Sequence, residues 1–258
     1  MRIPIYQIDA FTPRLFGGNP AAVCPLGEWL PDETLQAIAA ENNLSETAFY
    51  VPAGDRFRLR WFTPRREVPL CGHATLATAH LLLNVFESKA NQVVFDTLSG
   101  ELRVERDGDR LAMDFPAKPP RPGEPPEGML AALGGEPLEF LRGHYYLAVY
   151  ESEAEVRALR PDFPALATMD EAVIVTAPGD EVDFVSRFFA PTYGVDEDPV
   201  TGSAHCTLAP FWAERQCKPW LEARQLSERG GEIHCEYHDD RVILTGQSVL
   251  YLTGTIGI

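Results

Sequence analysis

Glu67-Val68-Pro69-Leu70-Cys71-Gly72-His73-Ala74-Thr75 returns later in the chain as Glu197-Asp198-Pro199-Val200-Thr201-Gly202-Ser203-Ala204-His205. Upstream, Arg60-Trp61-Phe62-Thr63-Pro64 is echoed by Arg187-Phe188-Phe189-Ala190-Pro191, and downstream Gly100-Glu101-Leu102-Arg103-Val104-Glu105 by Gly231-Glu232-Ile233-His234-Cys235-Glu236. The block offsets, 187 − 60, 197 − 67 and 231 − 100, are 127, 130 and 131. One such match arises easily by chance; three in the same order do not. The chain therefore reads as two homologous halves, each with a Gly-centred turn that opens a helix.

Working outward, Ile3 to Phe11 alternates as a strand, ended by Thr12-Pro13. Phe16-Gly17-Gly18-Asn19-Pro20 is a turn cluster, and Ala21 to Cys24 a short buried strand. Pro31-Asp32-Glu33 opens a helix running to Ala40, with acids in its first turn. Phe57 to Phe62 is a strand before the first turn, and Ala74 to Phe86 is so apolar that its helix must be buried. Leu102 to Phe115 turns at Asp107-Gly108-Asp109 as a hairpin. The second half repeats the plan: a capped helix at Ser152 to Ala158, a buried helix at Ala204 to Gln216, and a hairpin turning at Asp239-Asp240.

These elements predict an α+β fold, with residues 1–115 as the N-terminal half and 129–247 as the C-terminal half. Residues 116–128 hold six prolines and read as a stiff linker. The final strand, 248–258, is expected to pair back onto the first half.

A net charge of −16 over 258 residues argues against a nucleic-acid partner and against docking on an anionic membrane. No apolar run approaches the roughly 20 residues of a membrane span, and the N-terminus shows a strand pattern, not a signal-peptide core. Five cysteines without regular spacing point to reduced thiols and a cytoplasmic setting.

A Gly-centred turn at a helix start exposes unpaired backbone N–H groups and the positive end of the helix dipole. Two such turns across a domain cleft would grip a carboxylate, so an acidic protein could bind a small anion through backbone dipoles. The competing reading is that each turn only caps a buried helix. Different polar residues at matching places, His73 and Ser203, favour function. Glu46 lies in the otherwise apolar Leu44-Ser45-Glu46-Thr47-Ala48-Phe49, where a carboxylate suits acid–base work; its bland alternative is a solvated strand-end acid. His73 is a second titratable candidate. Asp198 has apolar Val68 as its counterpart, so this acid belongs to one half only.

A hydrolase triad through Ser203 and His73 lacks the Gly-x-Ser-x-Gly elbow. His205-Cys206 and His234-Cys235 have zinc-ligand residue types, but neighbours on a strand face opposite ways and the repeat puts Arg103-Val104 at the latter pair. No metal or cofactor is expected, and no dinucleotide or phosphate-loop fingerprint is present.

Together with Phe16-Gly17-Gly18-Asn19-Pro20-Ala21-Ala22-Val23 and Asn43-Leu44-Ser45-Glu46-Thr47-Ala48-Phe49, the repeated blocks resemble the phenazine-biosynthesis PhzF-like isomerase family. The resemblance runs from Ile3 to the final strand. It implies a diaminopimelate-epimerase-like fold: two pseudo-symmetric domains, each a mainly antiparallel sheet rolled around a central helix, with the site in the cleft between. It also implies a cofactor-independent isomerase, typically a homodimer, that moves a proton on a small carboxylate; in the phenazine enzyme that is dihydro-hydroxyanthranilic acid. Glu46 matches the glutamate that moves the proton. His73, Asp198 and Ser203 match the assisting groups, and the amides of Gly72–His73 and Gly202–Ser203 the carboxylate cradle. Asn19 and Ser45, in the quoted motifs, join the substrate-binding set. Diaminopimelate epimerases place a cysteine at each turn; here Cys71 has Thr201 opposite, so a two-thiol racemisation is unavailable and Cys71 reads as a packed small residue. The alternatives are a non-catalytic, regulatory small-carboxylate-binding protein and a racemase or dehydratase of the proline racemase type.

Overall fold

The computed structural model describes residues 1–258. The chain forms two compact units, Met1–Asp114 with Thr245–Ile258, and Phe115–Leu244.

In the first unit, β1 (Arg2–Ala10) leads through a turn into β2 (Asn19–Pro25). Gly18 in that turn takes φ +62°, and a Cβ there would stand 2.1 Å from the Ala10 carbonyl oxygen, so only glycine fits. Helix α1 (Asp32–Asn42) begins with two acids and ends at Asn43, in the left-handed conformation at φ 50°. Its Leu35, Ile38 and Ala39 pack on Cys24 of β2 and on Phe49 and Val51 of the strand that follows. Next come β3 (Glu46–Ala53), β4 (Arg56–Phe62), the short β5 (Glu67–Val68), helix α2 (Gly72–His80), β6 (Gln92–Thr97), β7 (Gly100–Asp107) and β8 (Arg110–Pro116). Most neighbours are antiparallel, but β2 pairs with β3, and β4 with β6, in parallel. Each parallel pair is joined through a helix, as parallel strands require. The closing strand, Ser248–Gly257, runs antiparallel along the whole of β1, with one register shift at Gln7/Ile8.

Helix α2 has no polar face: every residue from His73 to Ala79 is buried. Its buried threonines turn their hydroxyls inward, Thr75 to the Cys71 carbonyl at 2.5 Å and Thr78 to the Ala74 carbonyl at 2.7 Å. The helix widens into a π-turn at Leu81–Val85 before stopping.

The second unit begins with β9 (Arg121–Pro122) and α3 (Met129–Leu133), then β10 (Glu139–Arg142), β11 (Tyr146–Val149), α4 (Glu153–Ala158) and α5 (Phe163–Leu166). It continues with β12 (Val173–Pro178), β13 (Phe184–Ala190), β14 (Val195–Glu197), α6 (Gly202–Gln216), β15 (Trp220–Gln225), β16 (Gly231–His238) and β17 (Arg241–Gly246); the closing strand is β18. Its pairings repeat those of the first unit: β11 with β12 and β13 with β15 are parallel, and β12 with β13 and β15 with β16 antiparallel. At α4, Ser152 accepts from the Glu155 amide, while the Glu155 carboxylate reaches the amide of Glu151, one residue short of a closed capping box.

Residues 116–128, expected to be a linker, lie inside this second unit, where β9 pairs with β10. Their prolines hold the backbone extended, which suits an edge. One residue there has a further use. Helix α6 contains Pro210, which has no N–H for the Cys206 carbonyl one turn back. The Lys118 amide takes that carbonyl instead, at 2.9 Å, and the helix continues to Gln216. No helix is long and apolar enough to cross a membrane.

Candidate active site

Both repeated turns are tethered from behind by the same parts. In the first unit, Arg60 on β4 binds Glu67 on β5 through two bonds of 2.7 Å, with its guanidinium 5.0 Å over Phe62. Ser99 donates to the Pro69 carbonyl at 2.7 Å. In the second, Arg187 on β13 binds Glu197 on β14 at 2.7 and 2.9 Å, 4.8 Å over Phe189, and Ser227 donates to the Pro199 carbonyl at 2.8 Å. A bidentate Arg–carboxylate pair fixes orientation as well as distance. The chain between β4 and α2, and between β13 and α6, thus leaves its sheet in a set direction.

At the first turn the structure brings together Glu46, Cys71, Gly72 and His73. Glu46 opens β3, and its Oε2 lies 3.3 Å from His73 Nε2. Cys71 Sγ is 3.6 Å from His73 Nδ1, so the imidazole stands between a thiol and a carboxylate. Burial lowers the His73 pKa to about 3. The imidazole is therefore neutral, and the Glu46 contact is not a charge pair; nor is Nε2 aligned on Glu46 as a good hydrogen bond. Ser45 and Asn19 touch each other at 3.4 Å, on the strand ends flanking Glu46. Glu46, Cys71 and His73 offer one ligand atom each within 4.8 Å of one another, an O/S/N set of the kind zinc accepts.

At the second turn Thr201 is the N-cap of α6, followed by Gly202 and Ser203. Thr201 Oγ1 donates to Asp198 Oδ2 at 2.5 Å. Ser203 Oγ lies 3.0 Å from the hydroxyl of Tyr145, whose pKa burial pushes up to about 12, so the phenol keeps its proton. One turn into α6, His205 meets the Thr201 carbonyl through Nδ1 at 2.8 Å. A carbonyl only accepts, so Nδ1 carries the proton, and burial lowers the His205 pKa to about 4. Of the other zinc-type pair, His234 lies between Glu222 and Glu236, while Cys235 is fully buried.

The likeness to known proteins covers the whole arrangement. Residues 8–254 match the family model described as phenazine biosynthesis-like protein. An uncharacterized isomerase of Pseudomonas aeruginosa is 52% identical, covering 99% of this chain and 99% of its own length. The crystal structure of a phenazine biosynthesis protein of the PhzF family from Enterococcus faecalis superposes with a TM-score of 0.96 at 45% identity, covering 100% of both chains. The chain belongs to the phenazine biosynthesis-like family. The match places it among isomerases. A hydroxyproline epimerase from Agrobacterium vitis, 13% identical with a TM-score of 0.60 over 99% of this chain and 91% of that one, shares the fold alone.

Three side chains of this family member escaped the motif reading: Tyr145, Thr201 as a hydrogen-bonding group, and Gln225. Tyr145 sits just before β11 at the start of a run that reads only as a strand, and carried no signal. Gln225 stands two residues before Ser227, as Thr97 stands before Ser99, so extending the repeat to Thr97-Leu98-Ser99 and Gln225-Leu226-Ser227 would have singled it out.

Proposed function

We propose that the protein is a cofactor-independent isomerase that moves a proton between two carbons of a small carboxylate substrate, with Glu46 as the acid–base group. The observation that carries this reading is the pairing of Glu46 with a neutral His73, 3.3 Å away, at the amino end of a buried helix. A cationic partner would favour the carboxylate and weaken it as a base; a neutral imidazole does not. Glu46 takes a carbon-bound proton, becomes a carboxylic acid, and returns the proton at the second carbon while the double bond shifts between them. Nothing is gained or lost overall.

The amides of Gly72–His73 and of Gly202–Ser203, each at the start of a buried helix, are the groups assigned to bind a carboxylate. Asp198 and Ser203 assist from the second turn, and Asn19 and Ser45 border the first. A two-thiol racemisation is not part of the proposal, since the Cys71 counterpart is Thr201, whose hydroxyl is engaged by Asp198.

The test is incorporation of deuterium from deuterated water into a panel of small cyclic and amino carboxylates, comparing wild type with Glu46→Gln. Exchange that is catalysed by wild type and abolished in the variant is the expected result. Exchange that survives the substitution unchanged removes Glu46 from the role. Thermal stabilisation by a panel compound with no exchange of any of them favours a ligand trap over an enzyme.

A further inference from the structure

Three positions at which the two turns differ are joined in the second unit by hydrogen bonds. They are Val68 against Asp198, Cys71 against Thr201, and Thr97 against Gln225. Gln225, at the end of β15, has no exposed surface. Its Oε1 accepts the Thr201 N–H at 2.9 Å. Its Nε2 donates to the Asp198 carbonyl at 2.7 Å and to Thr201 Oγ1 at 3.2 Å. The amide orientation is fixed, because an N–H must meet the oxygen and a carbonyl must meet the nitrogen. Thr201 Oγ1, having accepted from Gln225, has its single proton for Asp198 Oδ2. The chain from Gln225 through Thr201 to Asp198 therefore runs in one direction and ends on the carboxylate.

The first turn is built without any of this. Thr97 donates to the Gly100 carbonyl of its own hairpin, and Cys71 points its thiol at His73. The Arg–Glu and Ser–carbonyl tethers are common to both turns, whereas the Gln225 tie belongs to the second. It occurs at the turn that carries Asp198 in place of Val68.

We infer that Gln225 is a positioning residue that acts through Thr201 to hold the Asp198 carboxylate at a fixed place and orientation. By engaging the Thr201 amide it also leaves Gly202 and Ser203 as the first amides of the turn available to an anion. The inference rests on the proposed isomerase reading for its purpose, though not for its geometry.

The test uses the full-length chain and the variants Gln225→Met, Thr201→Val and Thr201→Ser. Expected is a displaced Asp198 side-chain carboxyl carbon resonance in the Met and Val variants, and a position close to wild type in Thr201→Ser, which keeps the hydroxyl. With any compound that exchanges, kcat is expected to fall about 10- to 100-fold in the Met and Val variants, the size of effect that a misplaced group produces. KM should change by less than about threefold, with Thr201→Ser rescuing most of the loss. Should Gln225→Met fail to fold, Thr201→Val decides. An unmoved Asp198 resonance in Thr201→Val, or an equal loss of kcat in Thr201→Val and Thr201→Ser, overturns the inference. If no compound exchanges with wild type but the resonance moves as stated, the isomerase reading fails and the positioning of Asp198 stands.

Discussion

The two turns are made from one pattern and finished differently. Each has an Arg–Glu pair behind it, a serine on its proline carbonyl, and a glycine opening a helix with almost no polar surface. These shared parts solve a folding problem, which is to bring a buried helix out of a sheet at a set angle. The parts that differ are polar and sit close to the opening residues: His73 with Cys71 and Glu46 on one side, Asp198 with Thr201, Ser203, Tyr145 and Gln225 on the other. A duplicated element lets the frame be read from what the copies share and the chemistry from where they part.

The largest effect should come from breaking the asymmetry at Glu46. Glu46→Gln is expected to lower substrate deuterium exchange by at least about 10²-fold, the scale of a lost general base, with the circular dichroism spectrum unchanged. The tethers come next and should be unequal. Arg187 is the more enclosed of the pair, with a side chain 11% exposed against 20% for Arg60, and it also donates to the carbonyls of Val156 and Leu159. Arg187→Ala should cost about 3–5 kcal/mol by urea titration, and Arg60→Ala roughly 1–2, because Arg187 is the more enclosed and its loss also strips two backbone carbonyls of their donor. Equal losses would show that the two tethers carry the same load.

Acid should destabilise both units through their buried histidines. His73 and His205 have folded pKa values of about 3 and about 4, below the ordinary 6.5. The unfolded chain therefore binds protons that the folded chain refuses. Their contribution is complete above pH 6.5 and is lost as pH falls toward 4 for His205 and toward 3 for His73. Around pH 5 each should add about 1.4 kcal/mol per pH unit to the slope of stability. Replacing either by Gln should flatten a melting-temperature profile between pH 6.5 and 4.5; an unchanged slope would show that the imidazole is not held neutral. The smallest effect is expected at the serines. Ser227→Ala should cost about 1 kcal/mol, and Ser99→Ala less, since Ser99 is exposed and water replaces its bond.

The sequence carried the frame well because it carried it twice. The strands before each turn, both buried helices, both hairpins and the return of the last strand all leave periodic or repeated marks. The π-turn at Leu81–Val85 leaves none, since a largely apolar run looks alike in either helix. Helices α3 and α5, of five and four residues, are too short to show a period. The proline-rich stretch misled because extended backbone suits a linker and an edge strand equally. At the candidate site, Glu46 stood out as an acid in an apolar stretch and His73 as a polar residue where the other copy has Ser203, and the structure sets Glu46 and His73 3.3 Å apart. Gln225 and Tyr145 were not, because each reaches a turn distant in sequence, and nothing local distinguishes them from ordinary strand residues.

The pairing of Ser248–Gly257 along the whole of Arg2–Ala10 bears on the order in which the protein is made. The second unit is one unbroken stretch of chain, 115–244, and is complete when the ribosome reaches its end. The first unit has released nearly all its residues by position 114 yet must wait for a strand more than a hundred residues later. At about 5–20 residues per second that interval is roughly 7–30 s. Throughout it β1 has one edge without its native partner, the kind of edge that pairs with whatever strand comes near. The half of the molecule that is synthesised first is therefore the half that finishes last.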